Sequence, residues 1–506
     1  MKKCILLFFI VILGLFTTSC GQSNALGTSE NAPSENAISQ ATSEKDPLES
    51  LLTEDLSGEL TVSCYDTMFY KDTMEKAAKA FEAKNPGTKI HVETFASMPV
   101  MKTLENGITV STRDNEEQER ADYIQKINTE LMSGQGADLL AMDVLPYNKY
   151  TDANLLEDLQ LYMDQDKDFD ISNYRENIIH ALKYNNGQYI MPLDYMFDYV
   201  AYDKSLFTEE EQEKLKSRGK YTYNQLFEDG LLPFNRAKAN TNQPIKMFHT
   251  TAGPQTFNAL FNMDYESYID IENKKINLTD GRFAKLLESV KAYGDKAYLN
   301  PDSESGEFTL EDFEKIRSEQ FFYKVKSSFS LLEDVTRKFE LEPSRSANIL
   351  VGDDTHDEVL GLLSNADGKV NFRYTQAFSI NSNSKNKALA WAFLKFIISD
   401  ANQSDQTMFL GGLPINNHAR SERAKLETLD MIQKEDAESK EKSQKVYDYY
   451  VNTIEAFSNA LNNAPVKDDH IDMIISNEIV DFFSGNKTSD EVANILQNKI
   501  ELYLNE

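Results

Sequence analysis

Residues 59–95 read ELTVSCYDTMFYKDTMEKAAKAFEAKNPGTKIHVETF. Glu59 to Tyr65 is β-rich and stops at Asp66. A helix is expected from about Asp72 to Lys84, where Asp72 and Glu75 have capping-box spacing. Met74, Ala77, Ala78 and Phe81 fall at i, i+3, i+4 and i+7, a single apolar stripe, and Asn85-Pro86-Gly87 ends it. Lys89 to Phe95 then alternates Ile90 and Val92 against His91 and Glu93, as a second strand would. Working outward, Glu116 to Ser133 reads as a helix with Ile124, Ile127 and Leu131 on one face and Gly134 and Gly136 as its stop. Leu139-Leu140-Ala141-Met142 is a short apolar run ending at Asp143, the pattern of a strand covered on both faces. The order β-α-β-α-β implies the α/β class, a parallel sheet crossed by helices.

That order has a chemical corollary, because open α/β sheets bind ligands beyond the carboxyl ends of their strands. Tyr65, Asp66, Phe69, Asp143 and Tyr147 lie at those ends. A carboxylate there can accept hydroxyl hydrogen bonds, and a neighbouring aromatic can cover an apolar ring face. The competing reading of Asp66 and Asp143 is that each caps the helix after it.

The chain ahead of this body has a different character. Lys2 and Lys3 precede the apolar run Ile5 to Phe16, too short for a span that needs about twenty residues. The run ends in Thr17-Thr18-Ser19-Cys20-Gly21, which resembles the lipobox of bacterial lipoproteins, with Thr17 where that motif usually has Leu. The resemblance implies a signal peptide over 1–19 and a diacylglycerol anchor on Cys20, facing outward from the cell membrane. Residues 20–57 are Ser-, Asn-, Glu- and Ala-rich without an aromatic, the composition of a disordered tether. Over all 506 residues, 52 Lys+Arg against 82 Asp+Glu give a formal charge of −30, which argues against binding nucleic acid. The three cysteines, Cys4, Cys20 and Cys64, supply no disulfide framework to the body.

Several stretches resemble the extracellular solute-binding proteins of ABC importers, in particular the maltose-binding-protein-like group of family 1 that includes sugar-binding lipoproteins. They are Phe81–Gly87, Ile127–Gly134 continuing through Asp138 to Asp143, Leu155–Leu159, Asn186–Leu193, Ala377–Ile380 with Ser384–Lys387 and Ala390–Phe396, Gly411–Pro414, and Tyr503–Glu506. The match is weakest at Phe322-Tyr323-Lys324-Val325-Lys326, followed by Phe329, where the family often has an apolar strand and a site aromatic. The resemblance implies a type II periplasmic-binding-protein-like fold, two α/β lobes joined by a multi-strand hinge, with solute held between them. Crossovers are expected at Met191-Pro192-Leu193, Phe372-Arg373-Tyr374 and Gly411-Gly412, the glycines free to take hinge dihedrals. Lobe I is then 58–193 plus 376–412, and lobe II is 194–375 plus 413–506. Lobe II should offer the solute Asp194, Tyr195, Phe197, His249, Phe329 and Arg373. A monomeric receptor is implied, with a small solute, most simply a carbohydrate, and permease subunits as its partners.

Other clusters have plainer readings. Asp164, Asp166, Asp168 and Asp170 start like a calcium loop, but Phe169 and Arg175 stand where Gly and Glu belong. The acidic runs around His356 and His470 read as solvated charge, so no metal or cofactor is expected. Trp391, the one tryptophan, sits on a helix apolar on two sides and is expected in the core, leaving any stacking surface to the 24 Tyr and 29 Phe. Nucleophile, zinc-protease and P-loop motifs are missing, which favours a non-catalytic receptor. The alternatives are a surface glycosidase working through Asp143 and a second carboxylate, or a binder of a non-sugar solute or a sensor.

Overall fold

Asp66 decides where the first helix begins. Its side chain accepts from Phe69 N at 3.1 Å, so the helix starts at Thr67, five residues before the expected Asp72. In the computed structural model, residues 6–7, 56–103, 109–112, 115–240, 245–248, 253–297, 320–339, 356–431 and 437–505 are described. The elements needed below start with β1 (Gly58–Cys64), α1 (Thr67–Lys84), β2 (Thr88–Thr94), α2 (Glu116–Met132), β3 (Leu139–Ala141) and α3 (Tyr147–Asp152). Next come β4 (Met191–Pro192), β5 (Asp194–Asp203), β6 (Lys220–Tyr221), β7 (Ile245–Phe248), α4 (Pro254–Met263), α5 (Arg282–Ala297), β8 (Gln320–Ser327) and α6 (Leu331–Lys338). After them lie β9 (Asp357–Leu363), β10 (Phe372–Arg373), β11 (Ala377–Ile380), α7 (Lys387–Ile397), β12 (Leu413–Pro414), α8 (Ala437–Ala460), α9 (Asp469–Phe483) and α10 (Ser489–Asn505).

The first sheet has the order β2-β1-β3-β11-β4. Its β1, β2 and β3 are parallel, as the alternating pattern requires, while β11 enters antiparallel to both β3 and β4. The stripe Met74, Ala77, Ala78 and Phe81 is buried against it. The second sheet has the order β7-β8-β5-β9-β6, with β10 and β12 also paired to β5. Two α/β lobes result, and β5 is the strand on which their connections converge. Residues 192–194 lead into it, Arg373 pairs with Met196, and Pro414 pairs with Asp194.

The segment where the resemblance is weakest forms a regular strand. β8 pairs antiparallel with β5 from Tyr323↔Tyr202 to Ser327↔Asp198. Its lysines are buried because they are paired. Lys324 Nζ lies 3.0 Å from Asp357, and Lys326 Nζ lies 2.7 Å from Asp334 and 2.9 Å from Asp357. A further core joins α4, α5, α9 and α10, where Val492, Leu496 and Ile500 form the buried stripe of the last helix. Among the described residues no helix is long and apolar enough to cross a membrane.

Candidate functional site

Asp143 stands two residues beyond β3, at the carboxyl end of the first sheet. The residue is partly exposed, yet its Oδ1 is covered and has no hydrogen-bond partner among the described residues. Burial pushes its carboxyl up to about 7; the Asp66 charge adds to the rise, while its own backbone amide and the Arg120 guanidinium oppose it. Tyr70, on the buried side of α1, has a hydroxyl in the same condition, covered and without a partner. Burial raises the Tyr70 pKa, and the next largest cause is the charge of Asp143. Tyr374, in the second crossover, is raised by burial and then by Asp143 as well. An acceptor and a donor thus lie with unused hydrogen-bonding capacity at a strand end beside a crossover. Leaving each so costs about 1–3 kcal/mol, which a hydroxyl-bearing solute could recover.

Aromatic residues of several elements supply candidate ring faces. Phe69 stacks on Phe409 with centroids 4.7 Å apart and planes 22° off parallel. Phe409, just before the third crossover, is 43% exposed. Tyr123 joins Tyr65 at 5.6 Å to Phe95 at 5.4 Å, and the Tyr65 hydroxyl donates to Glu116 O at 3.2 Å. Tyr147 is covered and meets Tyr184 edge-on at 6.0 Å. Phe329 occupies the turn after β8 and is 59% exposed. Sequence reasoning missed Tyr70, Phe95, Arg120, Tyr123, Tyr374 and Phe409. Tyr70 had a signal, since it lies four residues before Met74 and extends the same helical stripe.

Other expected solute contacts are occupied within the protein. Asp194 is fully buried; its carboxylate accepts from Thr375 N at 2.8 Å, Thr375 Oγ1 at 2.5 Å and Gln376 N at 3.3 Å, and the Gly411 amide also donates to it. It ties the second and third crossovers to β5, with no free lone pair to aim at solute. Tyr195 is buried with its hydroxyl 2.8 Å from Ser458 Oγ, and buried Phe197 meets Phe457 edge-on at 5.8 Å. Arg373 forms a two-pronged pair with Asp198 at 2.9 and 3.0 Å. His249 lies outside the described residues. Asp66 is the cap of α1, as its competing reading had it.

The hinge glycines serve close approach. Neither Gly411 nor Gly412 has a positive φ. A Cβ on Gly411 would fall 2.1 Å from Thr375 Oγ1, and one on Gly412 would fall 2.5 Å from Tyr195 O. Pro192 pairs with Ala377 in the first sheet, at the start of the first crossover. Asp166, in the acidic run, accepts from the Trp391 indole at 2.7 Å and from Lys395, which anchors a fully buried Trp391 between Tyr162 and Phe169. Among the described residues no group of three His, Cys, Asp or Glu side chains could hold a metal ion.

The profile of the bacterial extracellular solute-binding proteins matches residues 70–404. The chain belongs to that family. No curated protein sequence matches it. Among solved structures it is similar to an ABC substrate-binding protein of Listeria monocytogenes in complex with cycloalternan, at 16% identity and TM-score 0.51, covering 89% of this chain and 99% of that one. An extracellular solute-binding protein of family 1 from Alicyclobacillus acidocaldarius matches at 15% and 0.54, with the same coverage. A cyclic alpha-maltosyl-1,6-maltose binding protein from Arthrobacter globiformis matches at 12% and 0.53, covering 88% and 99%. At such identities the likeness speaks for the fold alone.

Proposed function

We propose that this solute-binding protein is the non-catalytic receptor of an ABC importer, and that it captures a carbohydrate between its lobes at the carboxyl ends of β1, β2 and β3. The observation that carries the reading is the pair of covered polar atoms without partners among the described residues, Asp143 Oδ1 and Tyr70 Oη, together with the partly exposed Phe69–Phe409 stack, whose Phe69 adjoins Tyr70 in α1. Polar groups that accept and donate to hydroxyls, beside a ring face for C–H groups, match an uncharged polyhydroxylated solute. The sugar ligands named for the Listeria and Arthrobacter proteins support the same class. Lobe I residues Tyr65, Phe69, Tyr70, Asp143 and Tyr147 form the proposed set, with Phe329 from lobe II and, on the sequence reading alone, His249.

A glycosidase would need a second carboxylate opposite Asp143. Asp194 and Asp198, which lobe II carries on the strand leaving the first crossover, are both engaged, which favours binding over hydrolysis. The lipid anchor at Cys20 and the monomeric state belong to this proposal and rest on the sequence. A thermal-shift screen over mono- and oligosaccharides, followed by calorimetry, tests it: a solute at 100 times its dissociation constant adds about 2.7 kcal/mol to stability. Unchanged melting with every sugar, or sugar cleavage during incubation, would overturn it.

A further inference from the structure

Beyond the strand pairing of the crossovers, the lobes also meet at a small polar cluster. Lys149 lies on α3 in the first lobe, six residues past Asp143. Asp468 caps α9 in the second lobe, accepting from His470 N at 2.9 Å and Ile471 N at 3.3 Å, and Tyr503 lies near the end of α10. Lys149 Nζ is 3.0 Å from Asp468 Oδ2, hydrogen-bonds the Tyr503 hydroxyl, and stands 4.7 Å from the centre of the Tyr503 ring. The same hydroxyl donates to Asp468 at 3.0 and 3.1 Å.

Further bonds lie around the contact on each lobe. On the first, Asp152 of α3 accepts from the Tyr184 hydroxyl at 3.1 Å and Asn185 Nδ2 at 3.0 Å, and Asn185 N in turn reaches Glu272 of the second lobe at 3.1 Å. On the second, the Asp468 carboxylate is only 8% exposed and is held by its two cap bonds and by Tyr503. The contact lies close along the chain both to Asp143 and to a crossover. α3 starts four residues past Asp143, and the segment leading to α9 includes Asn463, whose carbonyl accepts from Phe372 N at 2.9 Å on a crossover strand.

We infer that Lys149, Asp468 and Tyr503 form a clasp that fastens the lobes together without help from solute, and so sets how tightly every solute is held. The inference rests on the solute-binding reading for its second half only. All the bonding atoms belong to the protein, so the clasp favours the lobe arrangement in which it forms, whatever the cleft contains, and we take that arrangement as the binding-competent one. Apparent affinity scales with the fraction of molecules in the competent form, so the clasp multiplies every solute's affinity by one common factor.

The test uses Lys149→Met, which keeps the aliphatic stem, and Tyr503→Phe, which keeps the ring. Each is labelled with one dye on each lobe for energy transfer and titrated with several sugars from the screen. In both variants the solute-free interlobe distance lengthens, and affinity falls about two- to fivefold, equally for every sugar, the effect of a partly exposed ion pair. The double variant loses less than the product of the two single losses, because the residues share one cluster. Wild-type distances and affinities in both variants would overturn the clasp and leave the receptor reading intact. Losses that differ from sugar to sugar would also overturn it, since they would put Lys149 in contact with solute. A wild type that binds no sugar removes the receptor reading, and the solute-free distances still decide the clasp.

Discussion

Asp143 and Asp194 each stand two residues past a strand of the first sheet, β3 and β4, and they are bonded in opposite ways. Asp194 is saturated by donors that come from the second and third crossovers, Thr375, Gln376 and Gly411. Asp143 keeps a covered oxygen with no partner and carries a pKa pushed up to about 7, mainly by burial. The difference teaches that an aspartate past such a strand end is sorted into structural tie or candidate solute contact by its remaining hydrogen-bonding capacity, whatever its sequence position.

The largest expected effect falls on the hinge. Asp194→Ala strands two or three buried backbone amides and the Thr375 hydroxyl, at about 1–3 kcal/mol each, so unfolding in urea should show a loss of about 3 kcal/mol or more. A variant with wild-type stability but weakened solute binding would return Asp194 to the site and erase the contrast.

The parts of this contrast differ in how far the chain announces them. Strands β1 to β3, the buried face of α1 and the three crossovers follow from local signals: alternation, a helical stripe, and Pro or Gly at a turn. The saturation of Asp194 does not, because its donors Thr375 and Gln376 lie 181 and 182 residues away. Lys324 and Lys326 are likewise hidden: the neutralising partners Asp334 and Asp357 come from other elements, so the strand reads as too polar to be central. The glycines were found for the wrong reason, since close backbone contact, unlike a positive φ, leaves no local signature. Phe409 gave no signal beyond its place two residues before the third crossover.

At Asp143 the expected loss is of affinity. A charged hydrogen bond is worth about 1.5–3 kcal/mol, so Asp143→Ala should weaken the identified solute by about ten- to a hundredfold in calorimetry while the fold persists. The pH dependence has a definite sign. With its folded pKa raised from 3.8 to about 7, the native state retains a proton that the unfolded chain gives up. Asp143 therefore favours folding at acid pH, and that contribution is lost as pH rises through about 7. Asp143→Asn should melt higher than wild type at pH 8 and remove this part of the slope. Solute hydroxyls that donate to the ionised carboxylate should release protons on binding near pH 7, read as a buffer-dependent binding heat. Proton uptake would mean that Asp143 donates to the solute.

A smaller effect is expected at the stacked rings. Phe409→Ala removes one face of the Phe69 pair, and aromatic contacts of this kind contribute about 0.5–1.5 kcal/mol, so affinity should fall about three- to tenfold with little change in melting. An unaltered affinity would place the cleft away from the third crossover and narrow the site to Asp143 and Tyr70.

Arg373 should show the least. Its pair with Asp198 has good two-pronged geometry, but the two side chains are 49% and 41% exposed, so water and salt screen most of the attraction. Pairs of this kind contribute at most about 1 kcal/mol. Arg373→Ala should therefore keep solute affinity within about twofold of wild type, with a small stability difference that disappears as salt is raised. The outcome that would sharpen the comparison differently is a tenfold affinity loss at unchanged stability. It would mean that the guanidinium leaves Asp198 for the solute on closure, making the Arg373–Asp198 pair, like Asp143 and unlike Asp194, a boundary group with bonds to spare.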